Sequence, residues 1–268
     1  MLLHRVATAL ILAPIVIAGI FLLSELYFAY FVGIFIVLAG WEFGNLCGFT
    51  SIRRVLYAGL ILLSMFGAYF LDAVLLLWAG FFWWCVALIL VLGYPQSAKF
   101  WGGVWQRSCM GFFVLVPAWI SLIQLKAYEQ STFLILVLMF LVWGADIGAY
   151  FAGRAFGRKK LAPRVSPGKS WAGVYGGLAT SAVVVLFAIW WENHALSAGQ
   201  WLLFFVLCLL VVLVSVLGDL TESMFKRHRG IKDSSGLLPG HGGILDRIDS
   251  LVAAGPVYAL ALMLIGWK

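Results

Sequence analysis

Between positions 219 and 249 the chain sets carboxylates at both ends of a cationic, glycine-rich stretch. Asp219 and Glu222 come first, Asp246 and Asp249 last. Lys226, Arg227, Arg229 and Lys232 lie between them, followed by His241 among glycines. Roughly a third of this stretch is ionisable, in a chain that is only 11% charged. Acids that can hold a divalent cation, beside cations that can hold phosphates, are the components of phosphoryl or nucleotidyl transfer. On a helix Asp219, Glu222, Ser223 and Lys226 share one stripe at i, i+3, i+4 and i+7. Asp246 and Asp249 are again three apart. The two carboxylate pairs would face each other across the loop, an arrangement that suits magnesium with its need for a few carboxylates, water and substrate phosphates. Gly236, Gly240, Gly242 and Gly243 would let backbone come close to a triphosphate, and Pro239 and His241 indicate a shaped loop. The four histidines, His4, His194, His228 and His241, do not cluster at zinc-ligand spacing. No G-x-S-x-G elbow surrounds Ser223 or Ser235, which argues against a serine nucleophile.

Three other places carry chemistry. Asp146 lies inside an apolar run, with Tyr150 one helical turn later on the same face. A carboxylate there must meet a metal, a cation or water, since burying it unpaired is costly. A structural ion pair with an arginine of the following loop is the plainer alternative. The segment from Gly157 to Trp171 holds five cations and the core Ser166-Pro-Gly-Lys-Ser170, able to cradle phosphate through Lys169, the serine hydroxyls and the amides opening the next helix. It is not a Walker A loop, since the first glycine is missing and no strand is expected before it. A basic loop of this kind can equally anchor lipid headgroups. Glu42, near the end of the second apolar run, reads either as a functional acid at membrane depth or as an interface residue paired with Arg53 or Arg54.

The elements that must position these groups are membrane helices. With 64% hydrophobic residues and a mean hydropathy of +1.04 over 268 residues, the chain has more apolar surface than a soluble domain could hide. Its continuously apolar runs have the roughly 20-residue length of membrane helices and do not alternate as barrel strands do. The expected fold is all-α, a polytopic integral membrane protein of about nine spans near 5–23, 26–46, 54–71, 73–94, 106–125, 131–153, 172–191, 201–222 and 248–267. The first is kept as a span, because no small-x-small cleavage site follows it. Residues 1–125 form a chemically quiet region of about five spans, and residues 126–268 a catalytic region of about four spans with two basic loops. With the N-terminus inside and the C-terminus outside, 16 of the 18 Lys and Arg fall in cytoplasmic segments, leaving Lys126 and Lys268 outside. The net charge of +7 then points to anionic lipids and an anionic substrate, not to nucleic acid. Glycines four apart, Gly144/Gly148, Gly153/Gly157 and Gly173/Gly177, permit close helix contact. Cys47, Cys85, Cys109 and Cys208 form no C-x-x-C pair and read as packing residues.

Ser223-Met-Phe-Lys-Arg227, Lys232-Asp233 and Leu238-Pro-Gly-His-Gly-Gly-Ile-Leu-Asp-Arg-Ile-Asp249 together resemble the complete signature of the phosphatidate cytidylyltransferases, also called CDP-diglyceride synthases. The resemblance extends to Asp146, Tyr150, the Ser166–Ser170 loop and the nine-span layout; over the first five spans only hydropathy agrees. It implies an enzyme of a bacterial-type inner membrane, its active site facing the cytoplasm, that converts CTP and phosphatidic acid to CDP-diacylglycerol and pyrophosphate with magnesium. On that basis Asp219 and Asp246 are expected as principal metal ligands, with Asp146 and Asp249 as further ligands or just behind them. Lys226, Arg227, Lys232 and Arg247 are expected on the phosphates, and Ser166, Lys169 and Ser170 on the triphosphate, with Tyr150, Ser223 and His241 at the same site. A second cation and a homodimer are left open. So are a CTP-dependent polyprenol-type lipid kinase, a transporter of an anionic substrate and a non-catalytic lipid-binding scaffold.

Overall fold

A computed structural model describes residues 2–192 and 196–267; His194 and Lys268 lie outside them. The helices are α1 (Leu2–Leu22), α2 (Glu25–Cys47), α3 (Ile52–Ala68), α4 (Ala73–Leu92), the single turn α5 (Ala98–Trp101), α6 (Val104–Lys126), α7 (Ser131–Phe156), α8 (Trp171–Trp191), α9 (Ala198–Arg229) and α10 (Leu245–Ile265). Each predicted span lies on one of them. Seven, α2, α4 and α6 to α10, are long and apolar enough to cross a membrane, so the chain is a helical polytopic membrane protein. α3, at 17 residues, is only about 26 Å long, short of the roughly 30 Å hydrocarbon thickness. α9, at 32 residues, reaches about 48 Å and so outruns it.

Helix ends are fixed by local chemistry. The Asp72 carboxylate accepts from Val74 N at 2.7 Å to start α4. Ser197 and Gln200 form a reciprocal capping box on α9, and Gly230 ends α9 in the left-handed conformation (φ 72°). α2 ends in the same way at Gly48, and its last carbonyls attract cations, as the negative end of a helix does. Arg107 donates to Leu46 O and Arg229 to Asn45 O.

α10 is the central helix: 72% of its apolar window is buried, more than in any other candidate span. It packs against α2, α4, α6, α7 and α9. α7 and α8 form the tightest pair, where the glycine spacing puts backbone against backbone. A Cβ on Gly176 would lie 2.6 Å from Gly148 O, and one on Gly177 3.0 Å from Ala145 O. Gly176→Val is therefore expected to destabilise the protein by about 1–3 kcal/mol through overpacking, read as a lowered thermal midpoint in detergent.

The basic connections collect at one end of the bundle. Arg164 reaches Gln96, His228 reaches Gly102 O, Arg227 reaches Val165 O and Arg229 reaches Asn45 O. Lys126, expected on the other side, is at the opposite end, its ammonium on Ile20 O at 2.6 Å. One expectation is corrected. The basic segment after α7 is a two-stranded antiparallel hairpin, β1 (Lys160–Ala162) and β2 (Ser166–Ser170), with Lys160 opposite Ser170. Strands of three and five residues containing Pro167 and Gly168 show no period-2 alternation, so they leave no hydropathy signal.

Candidate active site

α9 remains helical through Arg229, so its carboxylate stripe is continuous. Ser223 Oγ donates to Asp219 Oδ1 at 3.2 Å, and Lys226 Nζ to Glu222 Oε2 at 2.7 Å. α10 meets this stripe because position 218 is glycine. A Cβ there would collide with Asp249 O and come within 2.8 Å of Ala253 Cβ. That crossing brings Asp246 and Asp249 beside Asp219 and Glu222. Lys226 closes the join, its ammonium also 2.7 Å from Asp246 Oδ1.

The two acids expected as principal metal ligands have different surroundings. Asp219 is partly exposed and pairs with Lys169 of β2 at 2.8 Å. Asp146, exposed on α7, lies within electrostatic reach of both Lys169 and Asp219, and Asp249 within reach of Asp219. The expected alternative, an ion pair between Asp146 and an arginine, is not formed among the described residues. Asp246 is enclosed by donors. Beyond Lys226, it accepts from Ser234 N (2.9 Å to Oδ2), Ser234 Oγ (2.9 Å) and Gly243 N (2.7 Å). Among the described residues Asp219 and Asp246 therefore share no hydrogen-bond partner; the Glu222–Lys226 pair and Asp249 lie between them.

Among the described residues no three His, Cys, Asp or Glu side chains form a ready metal cage. Magnesium does not require one, since it is commonly bound by one or two carboxylates with the substrate's phosphates and water. The donor set around Asp219 fits that mode: oxygen ligands, partial exposure, and a Lys169 ammonium already standing where a cation is favoured. The set around Asp246 does not fit, because its oxygens are occupied by protein donors.

The remaining predicted residues divide between two roles. Ser170 is buried and its hydroxyl caps α8, accepting from Gly173 N at 3.2 Å. Arg247 donates twice to His241 O (3.1 and 2.7 Å), and His241 N donates to Leu238 O; these bonds fix the loop, with Gly240 and Gly242 in the left-handed region that glycine supplies without strain. Arg227 ties α9 to the hairpin through Val165 O. Lys232, Arg158, Lys159 and Lys160 are exposed at the same end of the molecule, and Ser166 is partly exposed on β2. Tyr150 is exposed one turn beyond Asp146 and receives Arg154 Nη1 at 3.3 Å.

The sequence allows Glu42 to be a membrane-depth acid or a partner of Arg53 or Arg54. The ion pair is not formed: Arg54 donates to Trp41 O and stacks on the Trp41 ring at 3.4 Å. Glu42 is fully buried and accepts from Ser235 Oγ (2.6 Å), Ile244 N (2.9 Å) and Leu245 N (2.6 Å), with Ser234 Oγ 3.3 Å away. Ser234 and Asn45, whose amide donates to Ser234 O at 2.8 Å, are site-shaping residues that sequence reasoning passes over, and Ser235, weighed there only as a nucleophile, joins them. Trp84 lines a small cavity with Glu222 and Asp249. Arg53 is exposed and touches none of this. Arg53→Ala is expected to change stability by no more than about 0.5 kcal/mol and to leave turnover unaltered in a steady-state assay.

Comparison with known proteins places the chain in a family. Residues 3–265 match the model of the cytidylyltransferase family. The chain is 53% identical to a phosphatidate cytidylyltransferase of Pseudomonas aeruginosa, over 100% of its own length and 99% of that protein's. It is 43% identical to the phosphatidate cytidylyltransferase of Haemophilus influenzae, over 97% of this chain and 98% of that one. With the protein of that name from Brucella suis it shares 42% identity over 71% of this chain and 67% of the other. A match spanning nearly every residue, including both halves of the bundle and the loop between α9 and α10, makes this chain a member of the cytidylyltransferase family.

Proposed function

We propose that the chain transfers the cytidylyl group of CTP to phosphatidic acid, releasing pyrophosphate and leaving CDP-diacylglycerol in the membrane. The observation that supports this most strongly is the α9–α10 crossing at Gly218. It sets Asp219, Glu222, Asp246 and Asp249 beside Lys226 and the hairpin's Lys169, in a chain alike along its whole length to phosphatidate cytidylyltransferases. A phosphate oxygen of the lipid attacks the α-phosphorus of CTP. The bond from that phosphorus to the bridging oxygen breaks, and pyrophosphate leaves with the electron pair. Both reactants are anions, so alignment and charge neutralisation dominate the barrier, and no covalent enzyme intermediate is needed.

In this reading Asp219, with Asp146 and Asp249, would hold magnesium, which when bound supplies positive charge to the reacting phosphates. Lys169 is then free to turn from Asp219 to a phosphate. Lys232, Arg227 and the hairpin cations at the same end attract the two substrates. Lys226, committed to Glu222 and Asp246 at 2.7 Å each, locks α9 to α10. Asp246 holds the glycine loop, a role its enclosure favours over direct metal ligation.

Gathering of the basic connections at one end favours nine crossings with the N-terminus inside and the C-terminus outside. The active end then meets the cytoplasm of a bacterial-type inner membrane, and the diacyl tails stay in the bilayer. A transporter would need charge at mid-depth along a path, whereas these charges gather at one end. The experiment that tests the reaction is incubation of purified protein in detergent with CTP labelled at the α-phosphorus, phosphatidic acid and magnesium. Label entering the lipid with one pyrophosphate released per product is the expected result. In a parallel incubation with a polyprenol in place of phosphatidic acid, CDP with a phosphorylated polyprenol would establish the kinase reading instead.

A further inference from the structure

Resting on that reading of the site, we infer that Glu42 of α2 is a positioning residue for the transfer, holding residues 234–245, and through them Asp246 and Lys226, in reactive register. Its carboxylate is fully buried and accepts from the Ser235 hydroxyl, the amide of Ile244 just before α10 and the first amide of α10, Leu245, with the Ser234 hydroxyl 3.3 Å away. A serine hydroxyl has one proton, and at Ser234 the shorter contact, 2.9 Å to Asp246 Oδ2, takes it.

These contacts sit where they control the loop. The residue before α10, Ile244, has no side-chain cap of its own, and Glu42 supplies from another helix the acceptor that the positive end of α10 lacks. Ser234 is the junction: its hydroxyl lies 3.3 Å from Glu42 Oε2 and 2.9 Å from Asp246 Oδ2, and its amide donates to Asp246 as well. Asp246 passes the constraint to Lys226, and Lys226 to Glu222. Asn45, one turn along α2, grips Ser234 O from the same face. There is no slack at the contact, since a Cβ on Gly243 would fall 2.6 Å from Glu42 Oε1. Packing α2 into the bundle would need no charge, and burying a carboxylate is costly even where, as here, a cation (Arg54) lies within electrostatic reach without forming an ion pair. Glu42 therefore specifies the position of the loop, and its bonds end on protein donors, away from the Asp219–Lys169 face where substrate would bind.

The test compares full-length wild type with Glu42→Gln, Ser235→Ala and Asp219→Asn by steady-state kinetics, thermal midpoint and hydrogen exchange. In Glu42→Gln one oxygen becomes an amide facing a backbone N–H, of Ile244 or Leu245, that can only donate. Turnover is expected to fall about 10²-fold, the cost of misplacing groups by about an ångström. KM for CTP and for phosphatidic acid stays within about twofold, as it does when an interaction is lost in the transition state alone. Exchange quickens in residues 233–246 and not in α7 or α8. Ser235→Ala removes one of the three bonds and leaves the carboxylate, so it gives a smaller loss of turnover of the same kind. It decides the matter if Glu42→Gln does not insert. Wild-type turnover in Glu42→Gln with an inactive Asp219→Asn would overturn the role of Glu42 alone. Wild-type turnover in both would overturn the reading of the site beneath it. A lower thermal midpoint with unchanged turnover and exchange would reduce Glu42 to a packing residue.

Discussion

Asp219→Asn is expected to lower turnover by about 10³-fold or more, as loss of a group that organises charge around transferring phosphates does, while the protein stays folded and inserted. The two effects separate because of where Asp219 sits. Its side chain is 30% exposed and its partner Lys169 24%, and ion pairs this close to solvent are worth about 0–1 kcal/mol. Asparagine keeps the shape and can still accept from Ser223 Oγ, the other bond Asp219 makes. Stability therefore changes little, whereas the negative charge facing Asp146 and Asp249 disappears. Steady-state turnover and thermal midpoint, measured on the same preparation, check both halves. Activity near wild type would remove Asp219 from the chemistry.

Lys226→Met should act in the opposite proportion on stability. Lys226 is the shared partner of two acids, at 2.7 Å from Glu222 Oε2 and 2.7 Å from Asp246 Oδ1, with side-chain exposures of 11%, 5% and 8% for Lys226, Glu222 and Asp246. Removing the ammonium leaves two buried carboxylates without a counter-charge, a change that costs about 3–5 kcal/mol. Glu222 feels it most, because it is the more buried of the two and also faces the Asp249 carboxylate. The expected result is a large fall in thermal midpoint together with loss of turnover. Adding Glu222→Gln should recover part of the stability but not the turnover, since Asp246 stays unpaired. An unchanged midpoint in Lys226→Met would mean that the α9–α10 junction is held by packing at Gly218 and Ala253.

The helices were legible because each is a long apolar run, and α9's stripe because 3.6-residue periodicity carries side chains onto one face without any help from the rest of the fold. The glycines of α7 and α8 were legible in the same way, as spacing within one helix. What stayed hidden depends on contacts across the chain. Glu42 meets Ile244 and Leu245 some 200 positions away, and its partners are backbone amides, which every residue offers. Only a charge inside an apolar run marked it, and the nearby Arg53 and Arg54 were the obvious partners in sequence. Asp246 looked equivalent to Asp219 because both open or close the same motif. Burial behind Ser234 and Gly243 distinguishes them, and the fold of the loop decides that. The hairpin at Lys160–Ser170 was read as an irregular basic loop because its strands are too short to show a period, while Lys169 was assigned to phosphate with no sign that Asp219 would hold it first.

The most direct measurement is binding of manganese, as a paramagnetic substitute for magnesium, to the purified protein in the presence of CTP, followed by the loss of its free-ion resonance. Wild type and Asp246→Asn are expected to take up the ion, and Asp219→Asn to leave it in solution apart from what CTP alone retains. Undiminished uptake by Asp219→Asn, or its loss only in Asp246→Asn, would contradict the assignment of the metal to the Asp219 side of the α9–α10 crossing.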